Sequence, residues 1–431
     1  MKRLERSADA VAKSILRCHS MRVISHNDAD GITSAGLICS ALFRAGIPYQ
    51  ATLVPRLDEN VVKGLEGPVL FCDMGSGQPD LISRVKGDVF VLDHHRPVGT
   101  LSCPNLNPHH FGIDGAFELS AAGTVYSVVR KMGQNADLAG LALVGAMGDR
   151  QALIGPNRDI LDEAVKAGAV EVRAGLKMAE DGPVEEVFAR TLEPLLDFVG
   201  DPQEAQEFLA EVGCQGRVEE LAGTELARLS SAIVLKLLMQ GSFAADSVVG
   251  EIIRLKREVL ENAFELVMIL NACGKMDLPG LGLSLCLRDT AGLPEARKMT
   301  LEYRKSILEG IDLLRRQHRD LQNIRYLLAT EIRGGGVVAG LGIRYLFTDR
   351  PLLVLNHKEG TVRVSGRGNK PLVRAGLDLS VALRVAAENV GGVGGGHTIA
   401  SGATLPPGRE EEFLAHVDRI VGEQLRSGVS S

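Results

Sequence analysis

"VFVLDHHRP", residues 89–97, runs an apolar stretch straight into Asp93, His94 and His95. An uninterrupted apolar run with two valines reads as a strand buried on both faces, because a half-exposed strand would alternate. The three polar residues at its mouth could be a ligand cluster, a pair of acid/base groups or a polar strand end. The same reading extends upstream. "MRVISH" (21–26), "YQATLVP" (49–55) and "GPVLFCDMG" (67–75) are further strand candidates. Between them lie a helix over 33–46, ending at Gly46, and helix-like pieces such as 77–86; helices over 121–133 and 137–148 follow. Strands alternating with helices predict an α/β fold with a mainly parallel sheet covered by helices.

The predicted strand ends carry acids and imidazoles. The first ends in His26, Asp28 and Asp30, the third in Asp73, the fourth in Asp93-His94-His95, and "GAMGDRQ" adds Asp149 after a helix. In open α/β sheets sites form beyond the carboxyl ends of the strands, so these side chains are expected to converge. A lone Asp at a strand end is usually a turn or helix cap. Several carboxylates brought together would repel and take up protons unless a cation relieved them. Carboxylates with imidazoles and no Cys suit Mn²⁺, Mg²⁺ or Zn²⁺, and a carboxylate with ligands on both sides suits a two-metal site. The metal reading is given to His26, Asp28, Asp30, Asp73, His94 and Asp149. Asp58, Asp80, Asp88 and the His109-His110 pair are read as surface or loop polar groups.

The chain has 431 residues, which implies two or three domains. The net charge of −6 disfavours an overall basic coat but leaves room for a local basic groove. The seven cysteines have no C-x-x-C spacing, which points to reduced core thiols rather than a disulfide framework. With no apolar run of membrane-span length and an amphipathic N-terminal helix, a cytoplasmic protein is expected. Residues from about 157 to 330 read as mostly helical. Strands are then predicted at 336–347, 351–357 and 361–368, a helix at 378–390, the Gly-rich "GGVGGGHTIASGATLP" at 391–406, and a last helix from about 408.

"HNDADGITSA", "FCDMG", "VLDHH" and "GAMGD" resemble the four motifs of the DHH phosphoesterase superfamily, and "GGVGGGHTIASGATLP" resembles the signature of its DHHA1 domain. The resemblance implies a DHH domain over 1–190, a helical middle region over 191–310 and a C-terminal α/β DHHA1 domain over 311–431. It implies two Mn²⁺ (or Mg²⁺) ions, with Asp28 on one, Asp30 on the other, Asp73 as bridge and catalytic group, and His94 and Asp149 completing the second. His95 resembles the phosphate-facing histidine and Asp93 a residue that orients an imidazole. Arg367, Gly394, Gly395, Gly396 and His397 are expected to cradle substrate phosphate, since glycine lets backbone N–H groups approach an anion. Arg315, Arg316, Arg319 and Arg325, on a predicted helix, could line a strand track.

The length and the helical insertion resemble archaeal RecJ-like exonucleases, which implies hydrolysis of single-stranded DNA or RNA from an end by metal-activated water. A role in DNA repair or replication would follow. Two alternatives stand beside it: a nanoRNase or dinucleotide phosphodiesterase, and a replisome component bound to GINS-like proteins with little or no activity.

Overall fold

Residues Met21–His26 (β1), Tyr49–Val54 (β2), Val69–Cys72 (β3), Val89–Leu92 (β4) and Asn105–Leu106 (β5) form one sheet in the order β2-β1-β3-β4-β5 in the computed structural model, which describes residues 2–178, 180–358 and 360–428. Every pairing is parallel. All four residues of β3 and of β4 are buried, as a sheet covered on both faces requires. One face packs Met21, Val23, Leu70, Cys72 and Leu92 against helices that include Lys2–Ile15 (α1), Ala29–Arg44 (α2), Ala121–Val129 (α3), Ala139–Gly148 (α4) and Ala263–Lys275 (α5). The other packs Ile24, Val69, Phe71, Val89 and Val91 against Leu57, Val62, Leu65, Ile82 and Val85.

Helix α2 is central, with thirteen of its sixteen residues buried. Asp28 caps it, accepting the Gly31 N–H at 3.0 Å, and the chain turns away at Gly46 in the left-handed region. From β1 the chain crosses to β2 on one side and returns to β3 on the other. The β1/β3 junction is therefore the point where the strand order reverses, the place where open α/β sheets bind ligands. Register fixes what meets there. Ser25 pairs with Cys72 and Cys72 with Leu92, so His26, Asp73 and Asp93 leave the sheet at one level.

The chain divides into two compact units. One comprises the chain up to Ala174 together with Glu251–Leu301; the other comprises Gly175–Gly250 and the chain from Glu302 onward. Residues 191–310 thus contribute to both. Within the stretch read as mostly helical, a strand, Val249–Leu255 (β7, paired with Val170–Leu176, β6), precedes helix α5.

The second unit holds a six-stranded mixed sheet. Its strands are Arg319–Asp320 (β8), Arg325–Thr330 (β9), Leu352–Lys358 (β10), Thr361–Arg367 (β11), Val393–Gly396 (β12) and Ala400–Leu405 (β13), in the order β12-β13-β11-β10-β9-β8. Helices Leu379–Asn389 (α6) and Glu410–Gly428 (α7) supply much of its core. The strand predicted at 336–347 is instead helical, as Gly335–Leu341 and a wider turn over Gly342–Leu346. A short apolar run has no period that separates a buried helix from a buried strand. Arg319 and Arg325 lie in strands rather than on the expected helix. Arg325 is buried and bonded to Asp320 and Asp349, so it belongs to the packing of this unit. Among the described residues no helix is long and apolar enough to cross a membrane.

Candidate metal centre

Asp73, the first residue beyond β3, stands at the middle of the site. Its φ of 58° is left-handed, a conformation that aspartate tolerates better than most residues, and its N–H is held by the Leu92 carbonyl at 3.0 Å. One carboxylate oxygen, Oδ2, lies 3.4 Å from His26 Nδ1, and the other, Oδ1, lies 3.3 Å from His94 Nε2. Oδ1 is buried and meets no hydrogen-bond geometry among the described residues. A buried carboxylate oxygen left so is costly unless a cation takes it.

Asp73 belongs to the first of two donor groups and reaches the second through His94 Nε2. His26, Asp28 and Asp73 place their ligand atoms within 4.8 Å of one another, and so do Asp30, His94 and Asp149. In the first, His26 Nδ1 is 2.9 Å from Asp28 Oδ2. In the second, His94 Nε2 lies 3.4 Å from Asp149 Oδ2 and 3.9 Å from Asp30 Oδ2. The His94 Nδ1 proton is donated to the Gly115 carbonyl at 2.7 Å, which leaves Nε2 facing the acids. A Cβ at Gly115 would overlap the His94 carbonyl, so this approach needs glycine.

Asp30, fully buried, is seated on the N-terminus of α3. Its oxygens accept the Ala121 and Ala122 N–H groups at 2.7 and 2.8 Å. Helix α4 packs closely against this contact: a Cβ at Gly145 would run into Ala122, Asp30 and Thr33. On the other side α5 braces the loop, with Asn271 Oδ1 accepting the Ala29 N–H and the Gly274 carbonyl accepting from Asn27.

Charge follows the crowding. Burial, with Asp149 and Asp73 nearby, pushes the Asp30 carboxyl well above its ordinary range. Burial with Asp28 and Asp73 raises Asp149 to about 6 against the pull of His94. Burial opposes a charged His94, but Asp73, Asp149 and Asp30 outweigh it and hold the imidazole well above its usual value. His26 is raised by Asp28 and Asp73 in the same way, and the imidazole and the Gly31 amide keep Asp28 depressed despite its burial. Carboxylates and imidazoles without thiolate suit Mn²⁺ or Mg²⁺.

His95 stands at the rim. It comes within 4.8 Å of Asp73 and His94, but its ring is 42% exposed and its Nδ1 is 2.8 Å from Asp93 Oδ1. Asp93 is completely buried and belongs to none of the donor groups. Of the residues set aside from sequence, Asp58 caps a short helix. His109 packs against the His94 backbone, where burial lowers its pKa; its position in the sequence gave no signal of this.

In the second unit Ser401 pairs with both Gly366 and Gly396, so Arg367 and the Gly396-His397 turn occupy one end of the sheet. Gly394 lies close against the Leu383 carbonyl of α6, Gly396 has φ of 142°, and Gly395 faces open space.

Residues 20–146 match the DHH family, N-terminal domain, and residues 348–423 match the DHHA1 domain. An uncharacterized protein of Methanocaldococcus jannaschii is 33% identical, with 99% of each chain covered. The chain belongs to the DHH phosphoesterase superfamily. Its fold is RecJ-like: RecJ of Thermus thermophilus, in complex with Mn²⁺, is 20% identical with a TM-score of 0.62. That match covers 97% of this DHH chain but 55% of the Thermus protein. CDC45 from Entamoeba histolytica is 11% identical with a TM-score of 0.65, covering 97% of this chain and 99% of that one. At such identities the likeness is one of fold.

Proposed function

We propose that this DHH protein is a phosphodiesterase dependent on two Mn²⁺ or Mg²⁺ ions, and that it removes nucleotides from an end of single-stranded DNA or RNA. The observation that carries the reading is Asp73, a member of the His26–Asp28 donor group whose other oxygen, Oδ1, is buried 3.3 Å from His94 Nε2 and accepts no hydrogen bond among the described residues. His26, Asp28 and Asp73 would hold one ion; Asp30, Asp73, His94 and Asp149 would hold the other. When bound, such a pair supplies an activated water and neutralises charge on the phosphoryl oxygens.

The chain's own residues have separable tasks. The α3 amides and the Gly115 carbonyl fix Asp30 and His94 before anything binds, so little reorganisation is left for the reaction. Asp93 holds His95 Nδ1, which directs Nε2 outward to contact a phosphoryl oxygen or protonate the leaving oxygen. Arg367, Gly394, Gly395, Gly396 and His397 would hold substrate phosphate. With only 4% aromatic residues and no Trp, binding should be led by phosphate, with little base preference.

The superfamily and the retained carboxylates favour hydrolysis over a purely binding role beside GINS-like replication proteins. Digestion of an end-labelled 20-mer of DNA and of RNA with Mn²⁺, against a dinucleotide, tests the assignment. A ladder shortening from one end supports it. Cleavage of the dinucleotide alone would assign the site to short substrates, and no cleavage with a GINS-like partner bound would favour the binding role.

A further inference from the structure

His95 is held by more than Asp93. The Asp93 carboxylate accepts four hydrogen bonds: from the His94 N–H at 2.8 Å, the His95 N–H at 3.1 Å, the His95 ring at 2.8 Å, and the Ser76 N–H at 2.8 Å. Asn107, one residue beyond β5, donates from Nδ2 to the His95 carbonyl and to Ser76 Oγ, each at 2.9 Å. Its Oδ1 accepts the His109 N–H at 3.0 Å. The histidine is therefore gripped at its amide, its carbonyl and its ring, with Ser76 joining the two grips. Asp93, Ser76 and Asn107 are 0%, 2% and 1% exposed. Burying three polar side chains is unfavourable unless every group is satisfied, and here the amide of Asn107 is fully used. Capping the turn at His109 needs only Oδ1; the two Nδ2 bonds go to the histidine and its support.

We infer that Asn107 and Ser76 are positioning residues that set the ring of His95 for the reaction; this rests on the phosphodiesterase reading. A misplacement of a reacting group by about 1 Å can cost about a hundredfold in rate, so the supports should show in turnover rather than in binding.

The test is a pair of variants, Asn107→Ala and Ser76→Ala, each alone and combined with His95→Ala. Hydrolysis is measured with saturating Mn²⁺, and Mn²⁺ affinity by calorimetric titration. The expected result is a fall in kcat of about tenfold or more for Asn107→Ala and less for Ser76→Ala, with KM and Mn²⁺ affinity within about twofold of the parent. In the His95→Ala background the same substitutions should change kcat by less than about twofold, because their target is gone. An equal loss in both backgrounds, or a loss of Mn²⁺ affinity, overturns the inference. Should Asn107→Ala fail to fold, Ser76→Ala carries the test, since its backbone bonds to Asp93 and Val98 persist. Absence of hydrolysis in the parent would count against the phosphodiesterase reading alone. The His95 ring resonances then decide: displaced in both variants they support positioning, and unmoved they overturn it.

Discussion

At the scale of the residue, His26 gives the sharpest expectation. Its Nδ1 lies near acids on two sides, so His26→Ala should weaken Mn²⁺ binding by at least about tenfold, read by calorimetric titration. Unchanged affinity would remove it from the ligand set. The gathering of these carboxylates and imidazoles was legible because most lie at strand ends, with Asp149 after a helix, and each carries its chemistry in its side chain. Their supports were not. Asp30 rests on the Ala121 and Ala122 amides and His94 on the Gly115 carbonyl, and a backbone group has no signature in a sequence. Asp28 shows a different limit. Read alone it is a helix cap, and it is a cap, yet its other oxygen faces His26.

At the scale of the element, the close approach of α2, α3 and α4 depends on small residues. Gly145→Ala would gain up to about 1 kcal/mol in an exposed helix. Here the added methyl meets Ala122 and Asp30, and overpacking of about 1–3 kcal/mol outweighs that gain. Thermal denaturation should show net destabilisation; an unchanged or raised midpoint would mean that the helices can separate at little cost. A second expectation concerns Asp137, before α4, which Arg44 and Arg288 hold at 2.7 and 2.9 Å. The Arg44 hydrogen bond leads the causes that lower its pKa from 3.8 to about 2. A depressed carboxyl stabilises the fold above its unfolded pKa, and the contribution is lost as pH falls from about 4 through about 2. Partial exposure limits it to about 1 kcal/mol. Urea denaturation across that window should show a slope that Asp137→Asn makes shallower, and an identical slope in the variant would deny the pair its role. Strands β1 to β4 were readable from their apolar runs. The helix at Gly335–Leu341 was not, because a short run of glycines and small apolar residues carries no period that tells helix from strand.

At the scale of the whole molecule, residues 251–301 join the unit that carries the site. Their helical texture was visible in the sequence, but their attachment was not: it depends on bonds such as Asn27 to Gly274, 247 residues apart. Cations held at this centre should stabilise the folded chain. At a free Mn²⁺ concentration a hundredfold above the dissociation constant, the gain is about 2.7 kcal/mol, seen as a rise in melting midpoint that a chelator reverses. No rise would mean that the acids close on themselves without a metal. The most direct test of the two-ion phosphodiesterase is Mn²⁺-dependent hydrolysis of end-labelled single-stranded DNA by the parent protein beside Asp73→Ala. The parent should shorten the strand progressively and the variant not at all, with the variant still folded. Full activity in Asp73→Ala, or none in the parent at any Mn²⁺ concentration, would contradict it.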